Sequence, residues 1–107
     1  MKSAIYARLR MIFSEDEIDR ISINEESEMG INVTVDVHGM KCNNAKRFIN
    51  NIINLIRVAF KLIVIHGYNN GTAIKDMLAE SFSNIHIVNQ FQDPYNLGVT
   101  YIILGTL

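Results

Sequence analysis

Two histidine–glycine pairs end apolar runs in this chain: His38-Gly39 in "VTVDVHGM" and His66-Gly67 in "LIVIHGYNNGT". Asp36 stands two residues before the first pair. One carboxylate and two imidazoles are sufficient for general acid–base hydrolysis of a phosphodiester. The same three groups could instead be ligands for a divalent metal such as Mg²⁺ or Mn²⁺, and spacing alone does not decide between the two. The stretch after His66 suits an anion. Small residues let the backbone come close to a ligand, and the free N–H groups that open a following helix point toward it. Gly67, Asn69 and Gly71 keep this loop slim, while Thr72 and Lys75 add a hydroxyl and a charge in the first helical turn. Tyr68 offers a face on which a base could stack. Phosphate is the natural guest for such a loop.

Each of these residues also has an ordinary structural use. Asp36 can be a solvated residue on an exposed sheet face, and either histidine can be a hydrogen-bonded strand end. Gly39 and Gly67 can simply permit positive φ at strand-to-helix turns, and Tyr68 can cover the core. The combined arrangement is what points to chemistry.

The elements that must position these residues follow from periodicity. In "INVTVDVH", Ile31, Val33, Val35 and Val37 point one way and Asn32, Thr34, Asp36 and His38 the other, which predicts a strand covered on one side. "NNAKRFINNIINLIRVAF" places Ala45, Phe48, Ile49, Ile52, Ile56 and Ala59 at helical spacing, with Asn43 or Asn44 as the expected N-cap. "LIVI" reads as a fully buried strand. The crossover makes the two strands parallel and brings both His-Gly pairs to their carboxyl ends, where ligands collect in open α/β sheets. Thr72 is the expected N-cap of a second helix with Ile74, Met77, Leu78 and Phe82 on its apolar stripe. "IHIVNQF", the turn "DPYNLG" and "VTYIIL" complete a β-α-β-α-β-β order. The expected architecture is a two-layer α/β sandwich over a mixed four-stranded sheet.

Residues 1–30 are acidic, with seven Asp or Glu against four Lys or Arg. They read as a helix or arm that packs on the domain or on a protein partner. Residues 31–107 carry six basic and four acidic residues, so they can meet a polyanion but hold no dense basic patch. The 107 residues suit one domain. No apolar run approaches the roughly eighteen residues that cross a bilayer. Lys2, Arg8 and Arg10 interrupt the apolar start, unlike a signal peptide, and Cys42 has no second cysteine to pair with. A cytoplasmic location is the expectation.

"VDVHGM" followed by a helix, then "VIHGYNNGTAIKDML", then "GVTYIIL", resembles the small MutS-related (Smr) domain over roughly residues 31–104. That family carries a Leu-Asp-x-His-Gly motif after its first strand and a His-Gly-x-Gly-x-Gly-type loop after its second. The resemblance implies a fold like the C-terminal domain of bacterial translation initiation factor three, with the last strand antiparallel to the others. It implies nucleic acid, DNA or RNA, as partner and endonuclease activity as function, with a non-catalytic binding or protein-interaction module as the alternative. The family's functional positions fall on Asp36, His38, Gly39, His66, Gly67 and Gly71. Tyr68 stands where the family commonly has lysine, Asn69 replaces the middle glycine, and Lys75 stands one residue from the usual helix arginine.

Overall fold

The computed structural model describes residues 1–27, 30–68 and 71–106. The elements run α1 (Lys2–Arg10), α2 (Glu15–Ile18), β1 (Ile21–Ser27), β2 (Gly30–Asp36), α3 (Cys42–Leu55), β3 (Phe60–Ile65), α4 (Ala73–Glu80), β4 (Ile87–Gln92) and β5 (Val99–Leu104). The strands form one open sheet in the order β1-β2-β3-β5-β4. β2 and β3 are parallel, as a helical crossover requires. β5 is antiparallel to both of its neighbours.

The sheet has five strands where four were expected. The added strand is β1, which pairs antiparallel with β2 and sets Ile21 opposite Val35 and Ile23 opposite Val33. Residues 1–27 therefore hold two short helices and an edge strand, where a helix or arm was expected. The Tyr6 hydroxyl fastens α1 to β1, accepting from the Ile23 N–H at 3.3 Å and lying 3.4 Å from the Ile21 carbonyl. Ser14 opens α2 with a reciprocal capping box to Glu17.

One buried cluster lies between the sheet and the helices. Val33 and Val35 of β2, Leu62 and Val64 of β3 and Ile102 of β5 meet Ile49 and Ile52 of α3 there, all fully buried. Burial of a side chain of this size stabilises the fold by about 1.5–3 kcal/mol. The opposite face of the sheet presents Asn32, Thr34, Asp36, Lys61, Ile63 and Tyr101, all partly exposed. β3 thus alternates buried and half-buried positions and is not buried throughout as its apolar sequence suggests.

Three expected boundaries move. α3 is capped by the backbone of Lys41 rather than by Asn43 or Asn44, which lie inside the helix. It ends at Leu55, where Ile56 turns extended (φ −87°, ψ 115°), so Phe60 is released to pair with Ile31 and Leu104. β4 begins at Ile87, because Asn84 turns the chain just before it. Its side-chain Oδ1 accepts from the His86 N–H at 3.0 Å, and its Nδ2 donates to Asn50 Oδ1 of α3 at 2.9 Å.

The β4–β5 turn is held by Asp93, whose carboxylate accepts from the Tyr95 and Asn96 N–H groups (2.8 and 3.1 Å) and from the Tyr101 hydroxyl (2.5 Å). The Tyr101 hydrogen bond leads in holding the Asp93 carboxyl below the ordinary carboxylate range, and the same bond leads in raising the Tyr101 phenol. Asp93, with a lowered value when folded, stabilises fully above the unfolded carboxyl range near pH ~4 and loses this as pH falls through its folded value. Tyr101, with a raised value, stabilises fully below about pH 10 and loses this as pH rises through its folded value. The Tm deficit of Tyr101→Phe should therefore be constant near neutrality and shrink on acidification below about pH 4. An equal deficit at pH 6 and pH 2 in thermal melts would contradict the assignment.

Candidate functional site

The first half of the site is a turn at the end of β2. Val37 leaves the ladder after one more bond to β3, its N–H donating to the Ile65 carbonyl at 2.9 Å. The Met40 N–H then donates to the Val37 carbonyl at 3.1 Å, closing a turn around His38 and Gly39. Gly39 has φ +77°, the left-handed conformation that this turn position favours glycine to adopt. Asp36 Oδ1 accepts the His38 backbone N–H at 3.1 Å and lies 2.5 Å from His38 Nδ1. A carboxylate can only accept, so Nδ1 carries a proton, and in the neutral ring Nε2 keeps the lone pair. Nε2 has no partner among the described residues, and the His38 side chain is 68% exposed.

Arg20 holds this turn from β1's side. Its guanidinium donates to the carbonyls of Asp36 (2.9 Å) and His38 (3.4 Å). Nothing in the sequence marks Arg20, sixteen residues away from Asp36.

The second half of the site is the strand end at His66. The His66 and Gly67 N–H groups both donate to the Gly98 carbonyl, at 2.9 and 3.1 Å. Gly67 has φ +72°, and a Cβ built there would lie 3.7 Å from the His38 Cβ, so the two His-Gly segments touch. His66 is buried on the helix side, at 7% exposure. Its Nδ1 lies 2.8 Å from the Gly67 carbonyl and its Nε2 2.9 Å from the Thr100 hydroxyl. Since a carbonyl only accepts, Nδ1 carries a proton, and in the neutral ring Nε2 accepts from the Thr100 hydroxyl. The second imidazole of the expected pair is thus satisfied on both nitrogens.

His38, Gly39, His66, Gly67, Tyr68, Gly71 and Lys75 line one cleft of about 510 Å³. Seven of the ten residues singled out from sequence meet there, drawn from two segments of the chain. Asp36 reaches the cleft through His38, because its strand position faces the open side of the sheet opposite Ile65. Thr72 occupies the N-cap position of α4, but its hydroxyl donates to Asp76 (2.8 Å) and does not cap the helix or line the cleft. Asn69 lies outside the described residues. Tyr68 is half exposed at the rim.

Asp36, His38 and His66 do not make a three-ligand metal set. Among the described residues no group of three His, Cys, Asp or Glu side chains is placed to hold an ion, and both ring nitrogens of His66 are engaged. The assembled chemistry is a carboxylate–imidazole dyad beside a cleft that two glycine turns keep open, with one lysine in its wall. Missed from sequence were Arg20, Thr100 and Gly98, whose roles arise from the strand pairing.

Neither known protein families, nor curated proteins, nor solved structures match this chain. Fold and site define a mixed α/β protein with an open five-stranded sheet and a carboxylate–imidazole contact at the carboxyl end of its parallel pair. No helix among the described residues is long and apolar enough to cross a membrane.

Proposed function

We propose that this chain is an Smr-like domain, with the fold of the initiation factor three C-terminal domain, that hydrolyses phosphodiesters in nucleic acid. The supporting observation is the convergence of both His-Gly segments and Lys75 on one cleft, with Asp36 behind His38. Nε2 of His38 takes a proton from water as that water's oxygen attacks phosphorus. The P–O bond to the leaving nucleotide breaks as the new P–O bond forms, and solvent protonates the departing oxygen. Asp36 keeps the imidazole oriented and offsets its charge once protonated. Lys75 and the backbone N–H groups that open α4 face the developing negative charge. His66 acts as a positioning residue, because its ring ties the Gly67 turn to Thr100 on β5.

A second reading is a nucleic-acid-binding module without cleavage. The engaged nitrogens of His66 favour it, since one free imidazole remains to move protons, and so does Tyr68 in place of lysine. Purified protein incubated with supercoiled plasmid and with structured RNA, with and without Mg²⁺ or Mn²⁺, separates the two. Nicked or cleaved product with wild type and none with His38→Ala supports the enzyme. Wild type as inert as His38→Ala on every substrate, with salt-sensitive binding retained, supports the module.

A further inference from the structure

Lys75 also lines a second cleft of about 360 Å³, between α4 and the β4–β5 hairpin. Thr100 lines this second cleft too, while its hydroxyl bonds His66 in the wall of the first. The two clefts therefore adjoin through one lysine and one histidine–threonine pair.

The walls of the second cleft are of two kinds. Leu78 and the nearly buried Phe82 are apolar, as is the stem of Lys75. Gln90 and Gln92 supply amides. The Gln90 amide nitrogen donates to the Leu78 carbonyl, which fixes strand and helix across the floor, and Gln90 Oε1 has no hydrogen bond to any described residue. The exposed Gln92 side chain has no hydrogen bond to any described residue. Apolar walls with a few placed amides suit a flat heterocycle with a hydrogen-bonding edge. A phosphate has no use for Leu78 or Phe82, and an aliphatic ligand has none for the two amides. The volume is ample for one base and insufficient for a duplex.

We infer that the second cleft is a nucleobase subsite, which takes an unpaired base of the strand whose phosphate lies in the His38 cleft. Lys75 between the two clefts meets the phosphate that joins them. The inference rests on the phosphodiester reading above, and it makes the substrate single-stranded or locally unpaired, since a base within a duplex cannot enter.

The test uses a hydrolysis-resistant phosphorothioate hexanucleotide and an abasic strand with the same backbone, titrated by fluorescence anisotropy at low salt. The base-bearing strand should bind wild type about 5- to 150-fold more tightly than the abasic one, the range that one stacked base gives. Ala79→Trp, which fills the cleft from an exposed position on α4, should bring that ratio close to one without changing abasic affinity. Gln92→Ala, at an exposed site with no packing to lose, should lower the ratio severalfold and guards against misfolding of the larger variant. Equal affinity of wild type for both strands, or a ratio unchanged in both variants, overturns the subsite and leaves the phosphate cleft standing. Failure of wild type to bind either strand overturns the nucleic-acid reading, and the subsite with it.

Discussion

His38→Ala is expected to lower the rate of phosphodiester cleavage by about 10²- to 10⁴-fold, the range that a positioned general base supplies. The effect should be one of chemistry alone. The His38 side chain is 68% exposed, and its one described side-chain bond is to Asp36. The alanine variant should therefore melt within about 0.5 kcal/mol of wild type, as exposed sites usually do. Affinity for nucleic acid should survive, because Lys75 and the loop backbone remain. Asp36→Asn tests the other half of the dyad. An asparagine carbonyl can still accept the His38 N–H and keep the turn, but it brings no charge to offset an imidazolium. Its rate should fall between wild type and His38→Ala. A rate for Asp36→Asn equal to wild type would mean that the short Asp36–His38 contact shapes the turn and has no part in catalysis. Cleavage by His38→Ala at the wild-type rate would remove His38 as the general base.

The parts of this site that could be read from sequence are those fixed by local rules. Period-two alternation gave β2, a helical stripe gave α3, and the crossover between two strands made the His-Gly pairs neighbours. Those three facts are enough to bring residues 28 positions apart, His38 and His66, to one cleft. The parts that could not be read depend on register. Val64 of β3 pairs with Thr100 of β5, so Thr100 lies beside the residue two after Val64. No local pattern announces that a threonine 34 residues away will satisfy a histidine. Arg20 is hidden for the same reason, since its reach to Asp36 and His38 exists only once β1 joins β2. β1 itself has two inward apolar residues, Ile21 and Ile23, followed by Glu25 and Glu26, and so resembles a solvated arm more than a strand. That acidic end is sensible on an edge, where charge discourages pairing with another chain. The C-terminus of α3 was obscured differently. Ile56, Ala59 and Phe60 continue the helical stripe while Ile56, Val58 and Phe60 alternate as a strand would, and no glycine marks the break.

The His66–Thr100 pair carries the other large expected effect, and it separates a positioning histidine from a catalytic one. Thr100→Val keeps the shape of the side chain but leaves His66 Nε2 buried without a donor, a cost of about 1–3 kcal/mol. His66→Leu removes both bonds and leaves the Gly67 carbonyl and the Thr100 hydroxyl unsatisfied, about 2–4 kcal/mol on the same scale. Each kcal/mol should lower Tm by roughly 4–8 °C in a domain near this size. Combining the two substitutions should cost less than their sum by about 0.5–3 kcal/mol, because the second change removes a partner already lost. The activity readout then discriminates. At 25 °C, with the protein still folded, Thr100→Val should cleave within severalfold of wild type, since His38 and Asp36 are untouched. His66→Leu should lose more, through the Gly67 turn that packs against His38, and the loss should appear with the fall in Tm. If His66→Leu instead melts like wild type and cleaves as poorly as His38→Ala, the His66 ring takes part in the chemistry. The doubly bonded imidazole described above would then not be its working state.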